Sequence, residues 1–315
     1  MKQELDISVV VPLYNEEESL PELVEWIDRV ARTNNLSYEI IMVDDGSSDR
    51  SWAVVGELKA KYSTIRGISF MRNYGKSAAL CCGFEMARGE VVFTMDADLQ
   101  DSPDEIPEMR RMIVEEGYDL VSGWKRKRHD PISKRWPSKF FNLTARLMSG
   151  IKLHDFNCGL KAYRRKVVKA IEVYGEMHRY IPILAKDAGF KRIGEKVVEH
   201  HERKYGKSKF GLERMIKGYL DLISVSFMSH FGRSPMYLFG GLGTLMFLFG
   251  FGAVVWIIIE KFVASRSLTN QPLFYLSLVA ILLGAMLFLA GFLGELINRR
   301  STDRNKYLID KQIDE

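Results

Sequence analysis

Cysteine is scarce in this 315-residue chain, and Cys81, Cys82 and Cys158 form no even-numbered disulfide framework. No CxxC pair and no zinc-type Cys/His spacing occurs, which excludes a structural zinc module. The neighbours Cys81 and Cys82 fall in an apolar helical stretch and read as reduced core packing. A Gly-x-Gly-x-x-Gly run and a Gly-x-x-x-x-Gly-Lys-Ser/Thr run are also missing, so there is neither a dinucleotide fingerprint nor a P-loop. Internal repeats and low-complexity linkers are absent. The polar start, Met1 to Asp6, leads to the expectation that there is no cleavable signal peptide. The net charge of +5 and pI near 8.9 are mild and suit an anionic partner or surface.

Charge itself is missing from two long runs near the C-terminus. Ser234 to Ile259 and Ser267 to Gly294 contain no Asp, Glu, Lys or Arg. At about 1.5 Å per helical residue, each can cross a hydrocarbon core of roughly 30 Å. Gly240, Gly241, Gly243, Gly250 and Gly252 in the first run suit close helix contact in lipid and would allow a homo-oligomer without requiring one. The connector Glu260 to Pro272 holds only Lys261 and Arg266. The outer flanks hold Arg214, Lys217 and Arg233, then Arg299, Arg300, Arg304 and Lys306. The positive-inside rule places both flanks in the cytoplasm. The expected organisation is a cytoplasmic domain over 1–210, a juxtamembrane amphipathic helix over 211–233, transmembrane helices over 234–259 and 273–294, an external loop over 260–272 and a cytoplasmic tail over 295–315.

What is present in the N-terminal part is alternation. Short apolar runs at Ile7–Val11, Glu39–Val43, Arg66–Phe70, Val91–Met95 and Leu120–Ser122 read as strands. Helical stripes separate them. Ser19 and Glu22 have capping-box spacing ahead of Leu20, Leu23, Val24, Ile27 and Val30. Asp49 can cap a helix carrying Val54, Val55 and Leu58, and Ser77 to Ala87 is a helix that Gly89 stops. Strand–helix alternation predicts an α/β fold, a mostly parallel sheet with helices on both faces.

In such sheets ligands bind beyond the carboxyl ends of the strands. Three polar clusters fall there: Pro12-Leu13-Tyr14-Asn15-Glu16, Asp44-Asp45-Gly46-Ser47-Ser48-Asp49, and Asp96-Ala97-Asp98-Leu99-Gln100. Each alone is ordinary turn chemistry. Together they would line one crevice, with carboxylates for a nucleobase or ribose and a pair, Asp96 and Asp98, for a hard cation such as Mg²⁺ or Mn²⁺ that grips a diphosphate.

These segments resemble glycosyltransferase family 2. The likeness rests on Val9 to Glu17, Val43 to Asp49 and Asp96 to Pro103, with the later Arg203-Lys204-Tyr205-Gly206-Lys207-Ser208-Lys209-Phe210 and two C-terminal spans narrowing it to the polyisoprenyl-phosphate glycosyltransferases. The resemblance implies a Rossmann-like GT-A domain, amphipathic interface helices and two transmembrane helices. It implies inverting transfer of a sugar from a UDP-sugar (or GDP-sugar) to a polyprenyl phosphate. By position, Pro12, Tyr14, Glu16, Val43, Asp45, Asp96, Ala97 and Asp98 would contact the nucleotide sugar, with Asp96, Asp98 and Gln100 around Mg²⁺ or Mn²⁺. Lys125 stands where the family often has a phosphate-binding arginine, and leaves bidentate gripping to Arg126 or Arg128. Arg203 and Lys209 would close over the diphosphate. Arg126, Arg128 and Ser208 are the acceptor-phosphate candidates. Asp155 and Asp98 are the catalytic candidates.

The acceptor headgroup would lie at a membrane surface. Lys125 to Arg128 and Lys134-Arg135 form a basic run, followed by Trp136, Phe140, Leu143 and Leu147 on one helical face. That pattern suits a helix lying on anionic lipid, and Met215 to Phe231 forms a second such segment. The alternative is a helix packed on the domain. His200-His201-Glu202 reads as a strand end ahead of the Arg203 loop rather than a metal site. A processive polysaccharide synthase is a rival, but Ile132 holds the Gln position of its Q-x-x-R-W motif ahead of Arg135-Trp136, and two spans are too few for a pore in one chain. A non-catalytic membrane scaffold is a second rival, which the intact carboxylates oppose. Nucleic acid is not expected, because the basic residues cluster where a membrane is expected rather than along a groove.

Overall fold

The computed structural model describes residues 5–126, 142, 145–146, 149–175, 177–202, 204–205, 235–264, 271–300 and 309–313. The chain divides into two compact units, one of Met1–Val225 with Asn305–Glu315 and one of Ser226–Arg304.

The first unit alternates as its sequence predicts. β1 (Ile7–Leu13), α1 (Leu20–Thr33), β2 (Tyr38–Asp44), α2 (Ser51–Lys61), β3 (Ile65–Phe70), α3 (Lys76–Met86) and β4 (Val91–Thr94) follow in order. Next come α4 (Ile106–Val114), β5 (Leu120–Trp124), β6 (Lys161–Arg164), α5 (Arg165–Ala170), α6 (Ile181–Asp187) and β7 (Ile193–Val197). β8 (Ile309–Ile313) belongs to the same sheet. The strand order is β7-β5-β6-β4-β1-β2-β3-β8. β3, β2, β1 and β4 run parallel, with Pro12 opposite Val43 and Leu13 opposite Asp44. β1 and β2 are near-continuous apolar runs, as befits strands covered on both faces.

Side chains alternate between the two faces. Val10, Ile41, Val43, Ile68 and Val92 pack with α3, α5 and α6. Val9, Val11, Ile40, Met42 and Phe93 pack with α1, α2 and α4. The stripe expected on α1 is buried there as Leu20, Leu23, Val24, Ile27 and Val30. Burying such side chains stabilises by about 1.5–3 kcal/mol each.

Three local findings differ from expectation. The sheet is mixed: β6 runs antiparallel to β4 and β5, so the fifth predicted strand does not join β4 directly. The capping box at Ser19 does not form. Ser19 is already helical (φ −88°, ψ −26°), because its N–H bonds the Glu16 carbonyl and starts the turn earlier; its hydroxyl also donates to that carbonyl, at 3.0 Å. The tail contains β8, antiparallel to the edge strand β3, with Ser69 opposite Lys311. An exposed edge offers unpaired N–H and C=O groups, and β8 covers this one.

In the second unit, α7 (Pro235–Ala264) and α8 (Pro272–Arg300) are long and apolar enough to cross a membrane over Met236–Val263 and Pro272–Gly294. Many of their large apolar residues are exposed, Trp256, Phe262 and Met286 among them, unlike the core helices of a soluble domain. The two helices pack through glycine: a Cβ on Gly243 would lie 2.5 Å from the Gly284 carbonyl oxygen. Close backbone contact of this kind is how helices associate in lipid.

Candidate active site

The loops after β1 and β2 are stitched together by side chains that their sequences supply. The Asn15 N–H donates to Ser47 Oγ at 2.9 Å, the Glu16 N–H to Ser51 Oγ at 2.9 Å, and the Ser48 N–H to Asn15 Oδ1 at 2.8 Å. Asn15 takes a left-handed backbone (φ 56°) to do this. Asp49 Oδ1 accepts the Ser51 N–H at 2.9 Å from one position ahead of the N-cap, which is Arg50 and makes no side-chain capping bond. Asp44 is buried, accepting from Ser47 N–H and Ser69 Oγ. Asp44, Ser47, Asp49, Trp52, Ser69 and Phe70 help to line a cavity of about 400 Å³ at these strand ends.

Pro12, Tyr14 and Glu16 are half-buried at the crevice. The Val43 and Ala97 side chains are buried in the core, so either residue can offer a ligand only its backbone. Asp45 is buried too. Its carboxylate accepts the Tyr74 N–H at 2.7 Å and the Gly75 N–H at 2.9 Å, which shapes the loop before α3. Burial pushes its carboxyl up to about 6 despite these two amides.

The β4 turn is the centre of the site. Leu99 is in the left-handed region (φ 60°) with its side chain buried. A non-glycine residue there costs about 1–3 kcal/mol and persists when its surroundings over-determine it. The turn sets Asp98, whose Oδ1 accepts the Gln100 N–H at 3.2 Å. Asp96 remains part-exposed and forms an ion pair with Lys76, the first residue of α3. Burial opposes the charge on Asp96, but the Lys76 ammonium, helped by Lys125 and His178, holds its carboxyl down at about 2. Gly159 makes room: a Cβ there would sit 2.6 Å from Asp96 Oδ2.

Lys125 is committed elsewhere than expected. Its ammonium lies 2.7 Å from Asp101 Oδ1, with side chains 13% and 0% exposed. Burial disfavours this cation, and the Asp101 carboxylate more than offsets that, raising Lys125 above the ordinary lysine range. Arg126 is exposed. Asp155 is buried, its Oδ1 accepting the Asn157 N–H at 3.0 Å and its carbonyl the Ser122 hydroxyl at 3.2 Å. Beside it, buried Lys161 donates to the Cys158 carbonyl, and burial lowers its pKa.

The segment leading to the Arg203 loop docks on the β4 turn. The His201 N–H donates to the Gln100 carbonyl at 2.9 Å, and His200 bridges to Asp101. Lys204 then pairs with Glu22 on α1. Arg203, Ser208, Lys209, Arg128 and both amphipathic segments expected at the membrane surface lie outside the described residues.

Sequence reasoning missed Lys76, Asp101, Lys161 and His178. One signal was present for Lys76: a cation at a helix N-terminus opposes the helix dipole and needs an anion nearby to justify it. The other three are brought in only by the fold.

A carboxylate turn and two stitched loops at the carboxyl ends of parallel strands define a crevice enzyme of the α/β class. The family model described as glycosyl transferase family 2 matches residues 8–172, and the chain belongs to that family. It is a glycosyltransferase. It is 35% identical over 305 residues to the dodecaprenyl-phosphate galacturonate synthase of Rhizobium johnstonii, covering 94% of this chain and 89% of that one. It is 35% identical over 313 residues to the undecaprenyl-phosphate 4-deoxy-4-formamido-L-arabinose transferase of Pseudomonas aeruginosa, covering 98% and 90%. Among solved structures, mannosyl-3-phosphoglycerate synthase from Rubrobacter xylanophilus shares the fold with a TM-score of 0.56 at 18% identity, over 72% of this chain and 75% of that one. Glucosyl-3-phosphoglycerate synthase from Mycobacterium tuberculosis, solved with Mn²⁺, UDP-glucose and glycerol 3-phosphate, does so with a TM-score of 0.53 at 21% identity, over 73% and 82%.

Proposed function

We propose that the protein transfers a sugar from a nucleoside-diphosphate sugar, of the UDP class, to a polyprenyl phosphate at the cytoplasmic face of a membrane. The observation that carries this reading is the presence, in one chain, of a carboxylate turn at the end of β4 and two helices of membrane-crossing length. The names of its relatives, which act on dodecaprenyl and undecaprenyl phosphates, support the acceptor class. The neighbour solved with Mn²⁺ and UDP-glucose supports the donor class.

Asp96, Asp98 and Gln100 offer only oxygen ligands, which suits Mg²⁺ or Mn²⁺. Among the described residues no three His, Cys, Asp or Glu side chains gather as a ready-made site. Diphosphate oxygens would therefore complete the set. Such an ion would supply positive charge to the departing nucleotide. Lys76, already seated at Asp96, adds fixed positive charge of the same kind. The acceptor needs little activation, since a phosphate monoester with a second pKa of about 6 is mostly dianionic near neutrality. Buried Asp155 then serves to orient groups and to accept a proton only from the monoanion. Direct attack of the phosphate on the anomeric carbon inverts it.

Chain connectivity supports the orientation. The helix pair is inserted between β7 and β8 of one sheet, so the chain crosses the membrane an even number of times. Together with the excess of Lys and Arg on the flanks, this supports the reading of a cytoplasmic catalytic unit.

The test is transfer of radiolabel from UDP- and GDP-sugars to polyprenyl phosphate, with and without EDTA, and an NMR assignment of the product anomer. The expected product is organic-soluble, inverted and lost on chelation. A growing water-soluble polymer would mean a processive synthase instead. Absence of transfer from every donor would overturn the proposal.

A further inference from the structure

β6 runs antiparallel to β4 and β5, so the segment before it, 149–160, lies at the carboxyl ends of those two strands. Gly159 in that segment abuts Asp96 of the β4 turn. His154, directly ahead of Asp155, stands on its outer flank. The His154 backbone N–H donates to Glu195 Oε2 at 2.7 Å, and its ring Nδ1 meets Glu195 Oε1. Glu195 belongs to β7. The ring also stacks on Trp124, the last residue of β5, with centroids 4.1 Å apart and planes 13° apart. A carboxylate only accepts, so Nδ1 carries a hydrogen whether the ring is neutral or charged. Nδ1 and one ring face are therefore taken. Yet the side chain is 49% exposed and makes no further hydrogen bond, ion pair or ring contact among the described residues. The Nε2 edge is open, on a ring whose orientation is fixed.

We propose that His154 binds the phosphate of the lipid acceptor through Nε2, and that Glu195 is the positioning residue that holds the ring for it. A phosphate dianion there keeps the ring as the imidazolium, with Nδ1–H on Glu195 and Nε2–H on a phosphate oxygen. The strand order supports the assignment. The cavity at the ends of β2 and β3 lies on one side of the β4 turn, and β5 and β7 lie on the other, beyond β6. With the nucleotide on the first side, an inverting attack brings the acceptor to the opposite face of the sugar, from the β5–β7 side. Exposed Arg126, two residues beyond Trp124, adds positive charge to that side. The inference rests on the reading of the crevice as an inverting nucleotide-sugar site.

The experiment uses the full chain in detergent with Mn²⁺. It combines acceptor KM with a donor the wild type accepts, UDP calorimetry, and ¹⁵N spectra of histidine-labelled protein. The resonances of His154 are those missing from His154→Gln. His154→Ala should raise acceptor KM by about tenfold or more while UDP affinity holds. His154→Gln, whose amide nitrogen can reach the Nε2 position, should recover part of that loss. Glu195→Gln leaves one acceptor oxygen for two N–H groups. It should raise acceptor KM by about threefold or more and let the ring hydrogen move to Nε2, a tautomer change that damage to the fold alone does not produce. In the wild type, polyprenyl phosphate should leave both ring nitrogens protonated, and polyprenol or inorganic phosphate at the same concentration should not. A wild-type acceptor KM in His154→Ala, a UDP affinity that falls as far as the acceptor's, a His154 spectrum that polyprenyl phosphate does not move, or an equal response to inorganic phosphate would each overturn the inference. If His154→Ala does not fold, the wild-type spectrum decides alone. A wild type that transfers from no donor would overturn the functional reading as well, a result distinct from any pattern among variants.

Discussion

Lys125 can be read as a diphosphate grip or as the counter-ion of Asp101, and Lys125→Met separates the two. At 2.7 Å, with an effective dielectric of about 20, Coulomb's law gives an attraction of roughly 6 kcal/mol, part of which desolvation cancels. The Asp101 carboxylate is wholly buried, and neither of its oxygens accepts a hydrogen bond from any other described residue. Removing the cation therefore strands a buried charge, at a cost of about 3–5 kcal/mol. For a unit of this size that lowers the melting temperature by roughly 6–20 °C. Differential scanning fluorimetry in detergent measures it. The double variant Lys125→Met/Asp101→Asn should recover most of the loss, because the stranded charge is gone. A melting temperature within about 1 °C of wild type for Lys125→Met, together with loss of UDP binding, would refute the counter-ion argument and reinstate the phosphate grip.

Asp155→Asn should reduce kcat by about a hundredfold or more while UDP affinity holds, and wild-type turnover would remove Asp155 from the chemistry. Gly159→Ala places a Cβ 2.6 Å from Asp96 Oδ2 and 2.8 Å from Asp101 Oδ2, so the carboxylates must move. Mn²⁺-dependent UDP affinity should fall by about tenfold or more, and unchanged calorimetry would show that the turn tolerates the shift. Asp45, raised from 3.8 to about 6, holds a proton in the native state that the unfolded chain has released. Its contribution makes stability fall as pH rises between about 4 and 6, by up to about 3 kcal/mol. Asp45→Asn should flatten that slope in urea titrations, and a slope equal to wild type would refute the assignment.

The parts legible in the sequence are those set by local pattern. β1 and β2 announce themselves as β-branched runs, α1 as a stripe at helical spacing, and the membrane helices as long stretches without charge. The strand-end clusters are legible for the same reason: a polar turn directly after a buried strand must face the crevice. β6, β7 and β8 carry little such signal. Each is short and mixed, as Lys161-Ala162-Tyr163-Arg164 and Ile309-Asp310-Lys311-Gln312-Ile313 show. Their place is decided by which strands lack a partner: β7 and β8 close the two edges, and β6 fits between β4 and β5.

The site divides along the same line. Asp96, Asp98, Asp155 and the stitched loops could be named from residue type and position. Which charge compensates which could not: Lys76 at Asp96 and Lys125 at Asp101 depend on distances of a few ångströms between segments far apart in the chain. Sequence alone determined that a crevice lies at the ends of parallel strands and that two later helices are long and apolar enough to cross a membrane, because periodicity and charge exclusion are local properties. Only the tertiary structure decided the partners of each ionised group, because electrostatics in a buried site follows proximity in space.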